Sequence, residues 1–215
     1  MFAWHVEDNY LASLNYHHRG APKTWYGIPA RCAYEVESAV HPQVQGLDEK
    51  DILASKNIIV PPAFLKKHKI PVYHLVQNPG EFVVTLPQGF HSGFSHGYNN
   101  AEAVNLALPG WLGFGATSMT RYRHIKKESV IDVEALACVV AGISDSWETP
   151  ALEPSLDDYR ECLDILANEL RLRDIYTKKY GGKIIETEGS ALSQGQRWIC
   201  AICKVHNQPN FLCIL

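Results

Sequence analysis

Short apolar and aromatic runs punctuated by turn residues recur from Phe2 to Leu108, and the alternation within them predicts a β-rich segment. Residues 2–7, 12–17 and 23–28 form three such runs, separated by Asp8-Asn9 and by Gly20-Ala21-Pro22, and so predict three antiparallel strands. Helices are expected at 33–40 and 61–68, the second opening on proline at a first-turn position, where a missing N–H costs nothing. Residues 72–77 and 81–86 flank the turn tripeptide Asn78-Pro79-Gly80 and predict a hairpin, and 90–94 and 101–107 supply the last strands. Beyond Pro109-Gly110 the period changes. Residues 130–141 predict a short apolar helix. A longer one begins near Ser155, where Leu156, Tyr159, Leu163, Leu166 and Leu170 recur at helical spacing, Asp157 and Asp158 occupy the first turn, and Lys178-Lys179 precede a Gly181-Gly182 stop. The expectation is that this leucine stripe packs on the core. Residues 149–154 and 181–196 are linker-like, and no internal repeat is visible.

Composition changes this picture little. A chain of 215 residues, 46% apolar and 20% charged, suits one full core with a small appendage, and argues against disordered or fibrous classes. A formal net charge of -3 gives no general attraction to nucleic acid. No apolar run is long enough for a membrane span, and the first residues lack the basic-then-apolar order of a signal peptide, so an intracellular chain without a membrane partner is expected. Cys32, Cys138 and Cys162 stand alone and read as reduced core thiols, whereas Cys200, Cys203 and Cys213 crowd the C-terminal end and read as metal ligands.

The chemistry starts at His5-Val6-Glu7. On a strand, positions 5 and 7 project to one side and can share an ion, and a second histidine would complete the 2-His-1-carboxylate triad of non-haem Fe(II) sites; His91 is the candidate. If 2–108 closes into a β-barrel-like sandwich, Ser13 and Asn15 share a face, as do Lys23 and Trp25, so polar positions recur in step with the ligands. A lysine inside a barrel needs an anion, and the distal carboxylate of 2-oxoglutarate would satisfy Lys23. Plainer alternatives exist for each residue alone. His-x-Glu recurs by chance, a lone lysine is usually at the surface, and Gly93 and Gly97 read equally well as turn residues. His17, His18, His68, His74 and His96 are assigned to no metal, as satisfied or solvated side chains, and Lys66-Lys67-His68-Lys69 reads as a solvated helix end.

Three stretches taken together resemble the Jumonji C (JmjC) domain of histone lysine demethylases. They are Phe2-Ala-Trp-His-Val-Glu-Asp8; Ser13-Leu-Asn-Tyr16 with Gly20-Ala-Pro-Lys-Thr-Trp-Tyr-Gly-Ile-Pro29; and Pro79-Gly-Glu-Phe-Val-Val-Thr-Leu-Pro87, followed by Phe90-His-Ser-Gly-Phe94 and Gly97-Tyr-Asn-Asn-Ala-Glu-Ala-Val-Asn105. The resemblance covers about the first half of the chain and is closest to the branch that joins JmjN and JmjC segments to a C-terminal Cys/His zinc finger. It implies a mainly β fold with α, a double-stranded β-helix of the jelly-roll or cupin kind. A JmjC core at 1–127, a helical subdomain at 128–182 and the start of a zinc finger at 196–215 are expected. It implies Fe(II) at His5, Glu7 and His91, and 2-oxoglutarate held by Phe2, Asn15 and Lys23, with Ser13, Trp25 and Asn105 lining the pocket. The implied reaction couples O2-dependent decarboxylation of 2-oxoglutarate, giving succinate and CO2, to hydroxylation of a lysine N-methyl group, which leaves as formaldehyde. A methylated histone tail, chromatin and the nucleus follow as partner and location.

Near the C-terminus, Trp198-Ile-Cys200-Ala-Ile-Cys203 resembles the opening of that finger. Cys200, Cys203, His206 and Cys213 are candidate Zn(II) ligands, although the family's usual cysteine soon after the pair is absent and His206 stands in for it. The family also carries JmjN and further JmjC strands, including a tyrosine that contacts 2-oxoglutarate, before the position of Phe2. The chain therefore reads as apparently truncated at both ends. Two alternatives follow: a truncated JmjC chromatin protein, weak or inactive, that binds metal without turnover, and a cupin-like metalloenzyme acting on a small molecule.

Overall fold

A computed structural model describes residues 1–43, Leu53, Lys56, 58–141, 154–180, and the backbone at 198–199 and 206–207. The chain divides into two compact units, Met1–Leu108 and Pro109–Leu215.

The first unit is built from seven strands: β1 (Phe2–His5), β2 (Ala12–Gly20), β3 (Lys23–Ile28), β4 (Tyr73–Gln77), β5 (Phe82–Thr85), β6 (Phe90–Ser95) and β7 (Asn99–Leu106). They form two antiparallel sheets, β1-β6-β3-β4 and β5-β2-β7, as in a jelly-roll. Two expectations fail here. The first three strands do not pair with one another: β1 and β3 flank β6, while β2 lies in the other sheet. The expected hairpin across Asn78-Pro79-Gly80 is a sheet switch, because β4 pairs with β3 and β5 pairs with β2. The backbone hydrogen bonds explain why. Gly80 N–H donates to the His17 carbonyl at 2.7 Å and His17 N–H donates to the Glu81 carbonyl at 3.1 Å, so the chain leaving the turn is captured by β2 rather than by β4. Gly80 takes φ +86°, which glycine adopts without steric cost.

One face of the first sheet is covered by α1 (Ala33–Val40) and α2 (Pro62–Lys67), both close to the predicted spans. Trp4, Ile28, Val36, Val40, Leu65 and Phe90 make the buried cluster there. Strand parity then settles the opposite face. With Trp4, Ile28 and Phe90 turned toward the helices, their neighbours His5, Trp25 and His91 point the other way. Trp4 is 2% exposed and its indole N–H donates to the Val60 carbonyl at 2.8 Å, which anchors β1 beside the first candidate ligand.

In the second unit α3 (Leu112–Ile125) has no counterpart in the sequence reading; Gly113 and Gly115 weaken its helical signal. It ends with Lys126 in the left-handed region at φ +58°. The short helix α4 (Val133–Val140) starts on Asp132, whose carboxylate accepts the Ala135 N–H at 2.9 Å. The long helix α5 (Leu156–Tyr180) lies where expected, but its orientation does not. Leu156, Leu163 and Leu170 are exposed, whereas Asp158, Cys162 and Glu169 are buried. Hydrogen-bonding demand outweighs the stripe: Asp158 accepts the Gly110 N–H and Glu161 the Gly113 N–H, each at 2.7 Å, satisfying donors near the start of α3 that would otherwise lack partners. Two-residue strands β8 (Trp198–Ile199) and β9 (His206–Asn207) pair antiparallel, with Ile199 opposite His206.

Candidate metal centre

Strand β1 pairs with β6 so that His5 stands opposite His91, and their rings lie 4.2 Å apart between centroids. Between Phe2, opposite Gly93, and His5 the register shifts by one residue. That irregularity has a consequence for the site. In a regular strand Phe2 and His5, three apart, would face opposite ways; the shift brings the Phe2 ring to 6.3 Å from His5 and 5.0 Å from Trp25. Gly93 is no turn residue but a mid-strand position, where a Cβ would come within 2.6 Å of the Phe2 ring. Strand β1 ends at His5, short of the predicted Glu7, yet Glu7 keeps an extended backbone at φ -66°, ψ 153° and its side chain still meets the two histidines.

One ligand atom from each of His5, Glu7 and His91 lies within 4.8 Å of the others, a spacing that a single ion can take up. Both imidazoles are oriented from behind. His5 Nδ1 contacts the Ala3 carbonyl at 2.9 Å and His91 Nδ1 the Gly89 carbonyl at 3.0 Å. Because a carbonyl only accepts, Nδ1 carries the proton in each ring and Nε2 is left to bind a metal. Burial, with His91 nearby, lowers the pKa of His5 and favours the neutral ligand form. For Glu7, burial pushes the carboxyl up, but the adjacent His91 imidazole and hydrogen bonds from Asn105 and Ser13 outweigh it and hold the group at about 2. His91 Nε2 sits 3.4 Å from Glu7 Oε1. The centre is therefore two neutral-capable imidazoles and one ionised carboxylate on one side.

Around it, Lys23 and Trp25 project from β3, with Lys23 Nζ 5.6 Å from the Trp25 ring centroid. Lys23 is half-buried, burial lowers its pKa, and no acidic side chain among the described residues pairs with it. Ser13 bonds the Thr85 hydroxyl. Asn15 is buried, and its side-chain carbonyl accepts from Gln77 Nε2 at 3.1 Å. Asn105, expected as a pocket wall, is solvent-exposed on edge strand β7, with its amide 3.4 Å from the Ala12 carbonyl and reaching Glu7. His17 is buried rather than solvated; its Nε2 lies 3.2 Å from the Arg19 carbonyl, and among the described residues its Nδ1 has no partner.

Gln77 is the residue that sequence reasoning passed over. Fully buried at the end of β4 and opposite Lys23, it accepts from Trp25 Nε1 at 2.9 Å and donates to Asn15, from the other sheet, and to the Glu81 carbonyl at 3.1 Å. A glutamine closing an apolar run just before Asn78-Pro79-Gly80 was the available signal. Cys200, Cys203 and Cys213 lie outside the described residues, and of His206 only its backbone place in β9 is described.

Comparison with known proteins points to one family. Residues 1–106 match the family model described as "JmjC domain, hydroxylase". The chain is 45% identical over 147 residues to lysine-specific demethylase JMJ706 of Oryza sativa subsp. japonica, covering 64% of this chain and 17% of that protein. It is 43% identical over 142 residues to lysine-specific demethylase JMJ17 of Arabidopsis thaliana, covering 65% of this chain and 12% of the relative. It is 35% identical over 205 residues to human lysine-specific demethylase 5D, covering 94% of this chain and 13% of the relative. The chain thus spans less than a fifth of each of these relatives. The first 106 residues, with His5 and His91 on the paired strands β1 and β6 and Glu7 just past the end of β1, thus belong to the JmjC domain family.

Proposed function

We propose that this chain carries the catalytic core of an Fe(II)- and 2-oxoglutarate-dependent dioxygenase that demethylates methyl-lysine on histone tails in the nucleus. The observation that carries the reading is the His5, Glu7, His91 cluster, with both histidine Nδ1 atoms tied to backbone carbonyls so that Nε2 faces the shared centre. The donor set fits Fe(II): two imidazoles and one carboxylate leave coordination positions open for co-substrate and O2. Bound iron would supply the oxidative chemistry of the reaction. The protein residues bind and orient. Lys23, a half-buried cation without an acidic partner, takes the distal carboxylate of 2-oxoglutarate, and Phe2 and Trp25 form an apolar wall beside it. Ser13 and Asn105 fix the Glu7 carboxylate, while Gln77 holds Asn15 and Trp25 in place.

The test is turnover. Purified chain with Fe(II), ascorbate and 2-oxoglutarate is expected to release formaldehyde from at least one methylated histone peptide, and His91→Ala to abolish it. No release from any methylated peptide, with wild type and variant alike, would overturn the reading. Zn(II) at Cys200, Cys203, His206 and Cys213 belongs to the same proposal. Metal analysis is expected to find one zinc per chain, lost in Cys200→Ser; a zinc-free chain would refute the assignment.

A further inference from the structure

Helix α5 is anchored on one face and bare on the other. Asp158, Cys162 and Glu169 are buried, and the bonds from the Gly110 and Gly113 N–H groups to Asp158 and Glu161 fix the helix in that orientation. On the opposite side Leu156, Leu163 and Leu170 recur every seven residues and are 76%, 63% and 65% exposed, with Tyr159 exposed between the first two. Apolar side chains at this spacing are the seam that one helix presents to another. The helix has 25 residues and extends for about 37 Å, so the leucines form a stripe and are not scattered single residues. Rolling α5 to bury the stripe would take the acceptors away from Gly110 and Gly113.

The charges beside the stripe select its occupant. Along one flank stand Asp157, Asp164, Arg171 and Lys178, again seven apart and all exposed, so the row reads acidic, acidic, basic, basic. That order is complementary to itself reversed. A second copy running antiparallel sets Asp157 against Lys178 and Asp164 against Arg171, twice over, about a two-fold axis beside Ala167, whose small exposed side chain allows close approach. A parallel copy brings no such pairing, since acidic half would lie beside acidic half. Asp157 and Lys178 already meet Arg160 and Asp174, each at 2.7 Å, but these exposed pairs hold their partners weakly. Among the described residues Asp164 and Arg171 have no ion-pair partner; Arg171 reaches the Asn168 side chain at 2.9 Å.

We infer that the bare face of α5 is a self-association surface, on which a second copy of this chain docks antiparallel, Leu163 of each copy meeting Leu170 of the other. The inference is independent of the iron site. Its apolar core is small beside the roughly 20–30 residues a side of a standard interface, so the dimer is weak and reversible. It is tested by sedimentation equilibrium of the 215-residue chain, under reducing conditions, from micromolar to near-millimolar concentration. A monomer–dimer equilibrium is expected. Leu163→Asp is expected to weaken it at least tenfold, and Asp164→Arg or Arg171→Asp about tenfold, because each change acts twice in a symmetric dimer. The double reversal Asp164→Arg with Arg171→Asp restores the opposite charges across the axis and is expected to return the dimer to within about threefold of wild type. All three positions are exposed, and circular dichroism verifies that each variant keeps its helix content. The surface is refuted if the wild-type chain stays monomeric throughout, if Leu163→Asp dimerises like wild type, or if the folded double reversal stays as weak as its single components.

Discussion

The single residue whose energetics most depends on what it binds is Lys23. Its ammonium is half-buried beside Trp25, lacks an acidic partner among the described residues, and has its pKa lowered by burial from the ordinary 10.5. The sign of the linkage follows. The unfolded chain holds the lysine proton more tightly than the folded one, so the native state bears a cost below the lowered pKa, which is relieved as pH rises through that value toward 10.5. Lys23→Met should therefore raise the melting temperature of the ligand-free chain at neutral pH, by an increment that shrinks as pH rises toward 10.5. The same change should weaken 2-oxoglutarate binding by about tenfold or more, the worth of a charge-assisted hydrogen bond. A variant that loses stability and keeps its 2-oxoglutarate affinity would remove Lys23 from the site. This residue was legible in the sequence because parity places it with Trp25 on one face of a short strand. Gln77 was not, because its importance comes from reaching the opposite sheet, which no local period records.

Among the elements, those with a local signal lie close to where the pattern put them, while their partners were decided by hydrogen bonds at their ends. Strands β4 and β5 were expected to pair through Asn78-Pro79-Gly80, and His17 instead draws β5 into the second sheet. Helix α5 was expected to bury its leucines, and the free N–H groups near the start of α3 turn its carboxylate face inward. Periodicity identifies an apolar stripe but cannot weigh it against unsatisfied donors on another element. Ser155 and Asp158 make this measurable. The Ser155 hydroxyl accepts the Asp158 N–H at 3.1 Å, and Asp158 accepts in return from the Ser155 N–H at 2.9 Å, a reciprocal cap that also serves Gly110. Burial raises the Asp158 pKa, but the bonds from Ser155 and Gly110 outweigh it and leave the group below its ordinary 3.8. Its stabilisation is thus complete above pH 3.8 and lost as pH falls through the native value. Asp158→Asn should cost about 1 kcal/mol at pH 7 by chemical denaturation. The difference from wild type should close in acid, and a gap that persists unchanged at low pH would show that the carboxylate charge is not what holds the cap.

Taken as a whole, the first unit is two sheets whose facing sides share a polar interior, and a short edge strand carries the first candidate ligand. Strand β1 has four residues and, among the described residues, lies at the edge of its sheet with β6 as its one strand partner, and Glu7 lies just past its end. Trp4 pins it from the helix side, while His5 and Glu7 would pin it to His91 on the other side through a shared ion. Metal binding should therefore appear as folding stability. A ligand at 100 times its dissociation constant adds about 2.7 kcal/mol to the state that binds it. For a domain of roughly 100 residues, that corresponds to a rise of roughly 10 °C or more in the unfolding midpoint. Mn(II), which avoids oxidation during the measurement, is expected to produce such a rise in the wild-type chain and little or none in His91→Ala. Hydrogen exchange should slow most at the amides of β1 and β6, because those strands hold the two histidines. If Mn(II) raised the midpoint equally in His91→Ala, the stabilising ion would be bound elsewhere, and the edge strand would owe its place to Trp4 and the β6 ladder alone.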